Sequence, residues 1–347
     1  MERKGLTFEA QKVTANFIDP LGQTVVREIE IRTNPISART CRIAFSRANE
    51  KDVGNEALPA PPPDQHDRNS CPFCRPQVTS KTPRIDPLLA PEGHLVQGAS
   101  ILFPNLYPYG SYSAVSLIDD GHFVEIGTAS QYSYTDSFIN CGNYLRRINS
   151  QEPQAIYMAI TQNHLPSAGG SLLHPHLQIN ADKIPPNYHR HLQHRADRFY
   201  RDNGLYIFSS YLKHEKIDGR RYIGRTGRWE WLAAFAPEGF FEIWGILPGV
   251  RSLINLRHGD WHDLSQGLLK IQRYYRSLGR NGYNLGLLSV EEPDSKLDLR
   301  VVILVRSNHA PWVRSDHTGY EVMLGDMTTF SAPEQTAVDA RNFFTDE

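Results

Sequence analysis

The sequence has few cysteines, no marked excess of either charge and no long apolar run. Four cysteines among 347 residues argue against a disulfide framework. A net charge of -1 gives no sign of a surface for nucleic acid or for an anionic membrane. There is no apolar run of about 18 residues and no apolar segment typical of a secretion signal, so we expect no membrane span and a cytoplasmic protein.

Hydrophobic residues make up 40% of the chain, which is enough for a substantial core. Its length fits two modest domains or one duplicated domain. The segment from residue 50 to about residue 76 is rich in proline, aspartate and asparagine, and predicts an irregular loop that contains Cys71-Pro-Phe-Cys74.

Downstream of this loop, two stretches show the same predicted order of strand, strand, helix, strand and strand. In the first, strands are predicted near 101–103, 114–118, 156–161 and 173–179, with a helix around 138–148 capped by Thr135 or Asp136. In the second, strands are predicted near 231–235, 240–247, 283–290 and 299–306, with a helix over 263–278 that ends at Gly279. The pattern predicts an α+β fold of two duplicated halves, 1–195 and 196–347, with antiparallel sheets and packed helices.

The most informative segment contains His174-Pro-His176-Leu-Gln178. If this segment is a strand, His174, His176 and Gln178 share one face, while the residues between them face the core. A neutral imidazole can attack phosphorus, and the Gln178 amide can donate to phosphoryl oxygens as charge develops there. The preceding Ala-Gly-Gly-Ser171 predicts a loop whose backbone amides approach a phosphate closely.

Two histidines in a strand are more often structural than catalytic. Here Gln178, the Gly-Gly-Ser loop and a Cys-x-x-Cys pair accompany them, which favours chemistry. The pair Cys71 and Cys74 matches half of a tetrahedral zinc site. The alternatives are two unrelated thiols or a redox dithiol, and the flanking prolines do not suggest the helix N-terminus that a redox pair requires.

The segment His174-Pro-His176-Leu-Gln178, with Asn163, Gly169 and Ser171 upstream, resembles the galactose-1-phosphate uridylyltransferase family, a branch of the histidine triad superfamily. Cys71-Pro-Phe-Cys74 resembles the zinc knuckle of that family, and weaker similarities occur in the same order over nearly the whole chain, at 30–35, 46–48, 105–108 and 319–321. The resemblance implies two histidine-triad-like halves, of which the first carries the zinc knuckle and the nucleophile and the second lacks the nucleophile.

The resemblance also implies residue roles. His176 would be the nucleophile of a nucleotidyltransferase that works through a covalent nucleotidyl-histidine intermediate. Gln178 and Ser171 would hold the α-phosphate, and the other expected nucleotide-binding residues are Asn105, Asn163 and Gly169. The expected acceptor-binding residues are Arg47, Tyr320 and Glu321, the last two reaching the partner's site in a homodimer. One structural zinc per chain would be bound by Cys71, Cys74, His122 and His174.

Several departures from the family concern the acceptor. Glu50, Ser315 and Met327 stand where the family has a basic residue, a lysine and a glutamine. We therefore expect a nucleotide donor and a small phosphorylated or anionic acceptor other than galactose 1-phosphate. The alternatives are phosphorolysis of a nucleotide sugar or of adenylylsulfate, a nucleotide hydrolase, and a binding module without activity. His189, His191, His194 and His214 are expected on a solvated surface.

Overall fold

The structure is a computed structural model that describes residues 5–44, 58–59, 68–309, 315–317 and 319–345. Its strands are β1 (Glu9–Ile18), β2 (Thr24–Thr33), β3 (Thr40–Ala44), β4 (Leu95–Gln97), β5 (Ser100–Pro104), β6 (Tyr112–Leu117), β7 (Tyr157–His164), β8 (His176–Asp182), β9 (Tyr222–Thr226), β10 (Trp229–Ala233), β11 (Phe240–Leu247), β12 (Tyr283–Val290), β13 (Leu299–Val305) and β14 (Met327–Thr329). Its helices are α1 (Val78–Lys81), α2 (Gln131–Gln151), α3 (Asn187–Asn203), α4 (Ile207–Asp218), α5 (His258–Ser277) and α6 (Pro333–Arg341). No helix in these ranges is both long enough and apolar enough to cross a membrane.

Both halves of the chain contribute to one antiparallel sheet of ten strands. The order across it is β4-β5-β6-β8-β7-β12-β13-β11-β10-β9. Strands β7 and β12 meet in the middle, where Tyr283 lies opposite His164. From each edge inwards, a half contributes three strands in chain order and then its last two strands in reverse order. This arrangement confirms the predicted α+β fold with duplicated halves, antiparallel sheets and packed helices.

Helices α2 and α5 pack side by side on one face of the sheet. The rings of Phe138 in α2 and Trp261 in α5 stack with their centroids 5.7 Å apart. Gly267 of α5 lies against the indole of Trp231 in β10, where an added Cβ would come within 2.2 Å of a ring carbon. Because Gly267 has no side chain, α5 can approach this closely to the sheet.

The N-terminus of α2 differs from the prediction. Ser130, not Thr135 or Asp136, caps the helix, and its hydroxyl accepts a hydrogen bond from the amide of Tyr132. Thr135 lies inside the helix and donates to the carbonyl of Gln131. Polar side chains in the first turns of α2 are buried against the sheet. The cap predicted from the polar residues of the sequence was therefore too far downstream.

Helix α5 also begins earlier than predicted, at His258 rather than near Asp263. The carboxylate of Asp260 accepts a hydrogen bond from the amide of Arg257 at 3.0 Å, which stabilises this earlier start. The predicted end is confirmed, because Gly279 follows the last turn with a φ of +68°.

The opposite face of the sheet is covered at its two sides. Over the second half, α3 and α4 pack on the strands through buried side chains such as Leu192 and Phe208. Over β5 and β6, the loop that contains Phe73 packs on apolar side chains. Between these covers, β8, β7 and β12 carry partly buried amide side chains, Gln178, Asn163 and Asn284. This strip holds the segment that the sequence marked for chemistry.

A second, smaller sheet has the order β1-β2-β3-β14. Strands β1 and β2 form a long antiparallel hairpin, and most side chains of β1 are exposed. Strand β14, from near the C-terminus, pairs in parallel with β3, so that Met327 lies beside Cys41. The N-terminal and C-terminal segments of the chain are thus held together.

Candidate active site

The predicted alternation of side chains along β8 is confirmed. Leu177 and Ile179 are fully buried in the core beneath α2. His176 and Gln178 lie on the other face, where Gln178 is opposite Thr161 of β7 in register. A strand with an apolar back thus holds the imidazole and the carboxamide in one row.

His176 is held with one ring nitrogen free. Its Nδ1 donates a hydrogen bond to the backbone carbonyl of His174 at 2.8 Å, which leaves Nε2 with its lone pair. Burial lowers the pKa of His176 below its ordinary value, although the hydrogen bond to the His174 carbonyl acts in the opposite direction. The ring is therefore neutral near pH 7, and a neutral imidazole with a free Nε2 can act as a nucleophile.

A row of amide side chains crosses the sheet beside His176. Asn163 of β7 donates from Nδ2 to Oε1 of Gln178 at 3.4 Å. Asn284 of β12 lies opposite Asn163 and donates from Nδ2 to its Oδ1 at 2.7 Å. The structure therefore brings together His176, Gln178 and Asn163 and adds Asn284, which the sequence did not indicate.

The loop between β7 and β8 has two uncommon backbone conformations. Gly169 has a φ of +90° and Leu165 a φ of +72°. The amide of Gly170 donates to the carbonyl of Leu165 at 3.1 Å, and a Cβ at Gly170 would lie 3.0 Å from that oxygen. Only glycine adopts the Gly169 conformation without strain. The loop closes tightly and leaves Ser171 exposed before β8.

The four predicted metal ligands converge just before β8. The ligand atoms of Cys71, Cys74, His122 and His174 all lie within 4.8 Å of one another. Sγ of Cys74 is 3.3 Å from Nδ1 of His122 and 3.5 Å from Nδ1 of His174. Within the part of the chain that the structure describes, this is the one group of three or more such side chains close enough to hold a metal ion.

The surroundings of these ligands fit a cation. Nε2 of His174 donates to the backbone carbonyl of Asp119 at 2.9 Å, which leaves the lone pair of Nδ1 directed at the cysteines. Burial and the neighbouring Cys71 thiol raise the pKa of Cys74 to about 11, so a nearby cation is needed to form the thiolate at neutral pH. Two thiols and two imidazoles suit a tetrahedral metal.

Comparison with known proteins gives a consistent result. No profile of a known protein family matches the chain. An uncharacterized protein from Archaeoglobus fulgidus is 28% identical over 326 residues, which cover 94% of this chain and 95% of that protein. Among solved structures, an ADP-glucose phosphorylase from Arabidopsis thaliana with bound ADP-glucose aligns with a TM-score of 0.69 at 19% identity, over 90% of this chain and 98% of the other. A GalT-like protein from the same plant gives 0.67 at 19% identity, and a uridylyltransferase gives 0.65 at 18%, both with the same coverage.

The chain has the fold of the galactose-1-phosphate uridylyltransferase-like proteins. The three solved structures match over nearly their full lengths. The sequence resemblance in the His174–Gln178 segment and the fold therefore lead to the same group of proteins by separate routes.

Asn105 follows β5 and lies away from the row of His176. Its amide donates to the carbonyl of Ser113, and Ser113 is opposite Asn180 in β8. Since Asn180 is further along β8 than Gln178, Asn105 lies beyond the carboxamide rather than beside the imidazole. Its side chain accepts a hydrogen bond from the amide of Tyr107 at 3.2 Å. This position suits contact with the far end of a nucleotide.

The predicted acceptor-binding residues fall in different places. The guanidinium carbon of Arg42 lies 5.6 Å from the centroid of the Tyr320 ring. Glu321 accepts a hydrogen bond from the hydroxyl of Thr328 and lines a cavity of about 180 Å³ together with Asn284. Arg47 lies outside the described residues.

The expectation for the downstream histidines is wrong for His189. Only 3% of His189 is exposed, and its Nε2 donates to the carbonyl of Met158 at 3.0 Å. The reason is that His189 lies on the face of α3 that packs on the sheet. His214 stacks on Phe8, with ring centroids 3.7 Å apart.

Proposed function

We propose that this protein is a nucleotidyltransferase in which His176 carries the nucleotidyl group covalently. The observation that carries the proposal is the hydrogen bond from Nδ1 of His176 to the His174 carbonyl, which leaves a neutral Nε2 free beside the amide of Gln178. The shared fold supports the proposal, since a uridylyltransferase and an ADP-glucose phosphorylase have it.

The reaction would proceed in two displacements. Nε2 of His176 attacks the α-phosphorus of the donor, so a P–N bond forms and the P–O bond to the leaving phosphate or sugar phosphate breaks. An oxygen of the acceptor then attacks the same phosphorus, and the P–N bond breaks. The amide of Gln178 donates to the phosphoryl oxygens as negative charge develops in each displacement.

The loop before β8 would bind the donor's phosphates. Gly169 and Ser171 lie in this loop, and Asn163 lies at its start, where its amide contacts Gln178. Backbone amides in a glycine-rich turn can approach phosphate oxygens closely. We assign Asn105 to the nucleoside end of the donor, because the strand register puts it beyond Gln178 on the same sheet.

The metal would be one structural zinc ion per chain. Cys71, Cys74, His122 and His174 provide a closed set of four ligands, which is typical of structural rather than catalytic zinc. When bound, the ion would tie the irregular loop to the start of β8. His174 also accepts the hydrogen bond from His176, so this tie would hold the nucleophile in place.

The acceptor is proposed to be inorganic phosphate or another compact anion rather than galactose 1-phosphate. Ser315 and Met327 replace family contacts to the sugar phosphate and sugar, and losing a hydrogen bond to a charged group costs about 1.5–3 kcal/mol. Arg47, Tyr320 and Glu321 are kept from the family pattern, and the positive charge of Arg47 suits a compact anion. With a nucleotide sugar as the donor and phosphate as the acceptor, the reaction is a phosphorolysis, which the match to an ADP-glucose phosphorylase supports.

A steady-state comparison tests this choice of acceptor. Galactose 1-phosphate and inorganic phosphate are each offered with UDP-, ADP- and GDP-linked sugars, and the His176→Gly variant is the control for background. We expect turnover that requires an added acceptor and is faster with phosphate. Product formation without any acceptor would indicate a hydrolase, and efficient turnover of UDP-glucose with galactose 1-phosphate would refute the proposed acceptor.

Three further assignments belong to this proposal. We propose a symmetric homodimer in which Tyr320 and Glu321 of one subunit reach the other's site. We place the boundary between the two halves near residue 195. We also propose the cytoplasm as the working compartment, since all four cysteines are free and a reducing compartment preserves free thiols.

A further inference from the structure

Asn284 connects the proposed catalytic row to the second half of the chain. It lies on β12, opposite Asn163 of β7. Its Nδ2 donates to Oδ1 of Asn163 at 2.7 Å and to the carbonyl of Ala168 in the loop at 2.9 Å. Its Oδ1 accepts from Nη1 of Arg306 at 2.7 Å. The nitrogen of this amide therefore bonds to acceptors, and its oxygen bonds to a donor.

Arg306 and the Ala168 carbonyl together set which way the Asn284 amide points. A guanidinium can only donate hydrogen bonds, so Asn284 must present its oxygen to Arg306 and its nitrogen to Asn163. Arg306 is itself held by Asp316, through Nε at 2.7 Å and Nη2 at 2.8 Å. Burial would raise the pKa of Asp316, but hydrogen bonds and attraction from Arg306 lower it below its usual range. The ion pair is therefore formed at neutral pH.

The orientation of the Asn284 amide sets the orientation of the next two amides, those of Asn163 and Gln178. Because Asn163 accepts through Oδ1, its Nδ2 faces Gln178 and donates to Oε1 at 3.4 Å. Because Oε1 of Gln178 accepts this hydrogen bond, Nε2 is the end of that amide that is left to contact a ligand. Nε2 has no hydrogen-bond acceptor among the described residues, so it is available to a bound phosphate.

We propose that Arg306 and Asn284 are positioning residues that orient the Gln178 amide, so that it presents N–H and not oxygen to the phosphoryl group. This inference rests on the proposed function, since it concerns the group that Gln178 stabilises. It adds two residues of the second half to the site of the first half. The reversed orientation would place the oxygen of Gln178 against phosphoryl oxygens, where the two repel.

Two substitutions of similar size separate this role from a purely structural one. Asn284→Asp can still accept from Arg306 but cannot donate, so the Asn163 amide must turn to donate to it. The oxygen of Asn163 then faces Gln178, and Gln178 turns its own oxygen toward the phosphate. Asn284→Leu removes these hydrogen bonds and leaves the Asn163 and Gln178 amides free to adopt either orientation. A purely structural role predicts that activity follows stability, so that the variant with the lower thermal midpoint is also the slower one.

The experiment measures formation of the nucleotidyl-enzyme in a single turnover with a donor that labels the wild-type protein. We expect the aspartate variant to be slower than wild type by about 100-fold, the loss typical of removing one donor to a developing oxyanion. The leucine variant should be slower than wild type and faster than the aspartate variant, although its thermal midpoint is no higher than that of the aspartate variant. An aspartate variant as fast as the leucine variant would overturn the proposal.

A second readout needs no turnover. Calorimetric binding of AMP and UMP should follow the same order, with wild type tightest and the aspartate variant weakest. An aspartate variant that binds AMP and UMP as tightly as the leucine variant would contradict the proposal. A wild-type protein that binds these nucleotides but is never labelled would refute covalent transfer while leaving the order of affinities to decide the role of Asn284.

Discussion

At the scale of single residues, the candidate site depends on which nitrogen of each histidine is free. His176 uses Nδ1 for the His174 carbonyl, and His174 uses Nε2 for the Asp119 carbonyl. The first leaves Nε2 free for the proposed attack on phosphorus, and the second leaves Nδ1 free for the proposed metal. The different roles proposed for these two histidines thus follow from their different backbone partners.

The ligands of the proposed zinc ion can be tested by exchanging one buried cysteine at a time. Elemental analysis should find one zinc per wild-type chain, and Cys74→Ser should lose zinc and unfold at a lower temperature. Cys41→Ser is the matched control, since Cys41 is equally buried but is not part of the ligand group. Full zinc occupancy in Cys74→Ser, or a wild-type protein without zinc, would contradict the assignment.

The sequence predicted most of the site at this scale, because its members lie close together in the chain or in a recognisable motif. The alternation along β8 and the Cys-x-x-Cys spacing are local patterns. Asn284 and Arg306 were not predicted, because their roles depend on the pairing of β7 with β12. The available signal was the one amide among the mostly apolar residues of strand 283–290.

At the scale of elements, the site depends on how close the helices lie to the sheet. Helices α2 and α5 support the back of the central strands, and α5 approaches β10 at Gly267. An alanine there would place a Cβ 2.2 Å from the Trp231 ring, which is fully buried. Such overlap must shift the helix or the indole.

Gly267→Ala should therefore lower the free energy of unfolding by about 1–3 kcal/mol, the usual cost of overpacking. This is expected although alanine favours helix over glycine by about 1 kcal/mol. Gly259→Ala in the same helix is the control, since nothing lies within 4 Å of its Cβ position, and its stability should be unchanged or slightly higher. Urea unfolding of the two variants decides the matter, and equal stabilities would show that α5 is not held at this distance.

The order of elements was predictable from the sequence, but their arrangement was not. Hydrophobic periodicity gave strand, strand, helix, strand and strand in each half, and the structure contains these elements with one further strand, β4 or β9, before each first pair. The reversed positions of β8 and β7, and the union of both halves at β7 and β12, depend on long-range pairing that no local pattern encodes. The start of α2 was misplaced because polar side chains in its first turns are buried rather than solvated.

At the scale of the whole molecule, the hairpin of β1 and β2 has an apolar face that the rest of the described chain leaves exposed. Val13 and Phe17 are 41% and 47% exposed, and Phe17 lies opposite Val25 in register. The other face carries the pair of Lys12 and Glu28 and also exposes Ile18 and Val26. An exposed two-stranded hairpin is marginally stable alone, and an apolar face on it is typical of a contact between subunits.

We therefore expect a homodimer that uses this hairpin. Phe17→Asp should give monomers at micromolar concentration, because a carboxylate would be buried without a partner in the contact. Leu88→Asp, at an exposed apolar residue outside the hairpin, should remain dimeric. Size-exclusion chromatography with light scattering measures both variants, and a monomeric wild-type protein would refute the proposed dimer.

The central claim is that His176 carries a nucleotidyl group. Intact-protein mass spectrometry after incubation with UDP-, ADP- and GDP-sugars tests it most directly, with the His176→Gly variant in parallel. We predict that one donor adds the mass of a single nucleoside monophosphate group to the wild-type chain and nothing to the variant. Addition of an acceptor should remove this group. Product formation without any such adduct on the wild-type chain, or the same adduct on His176→Gly, would contradict the claim.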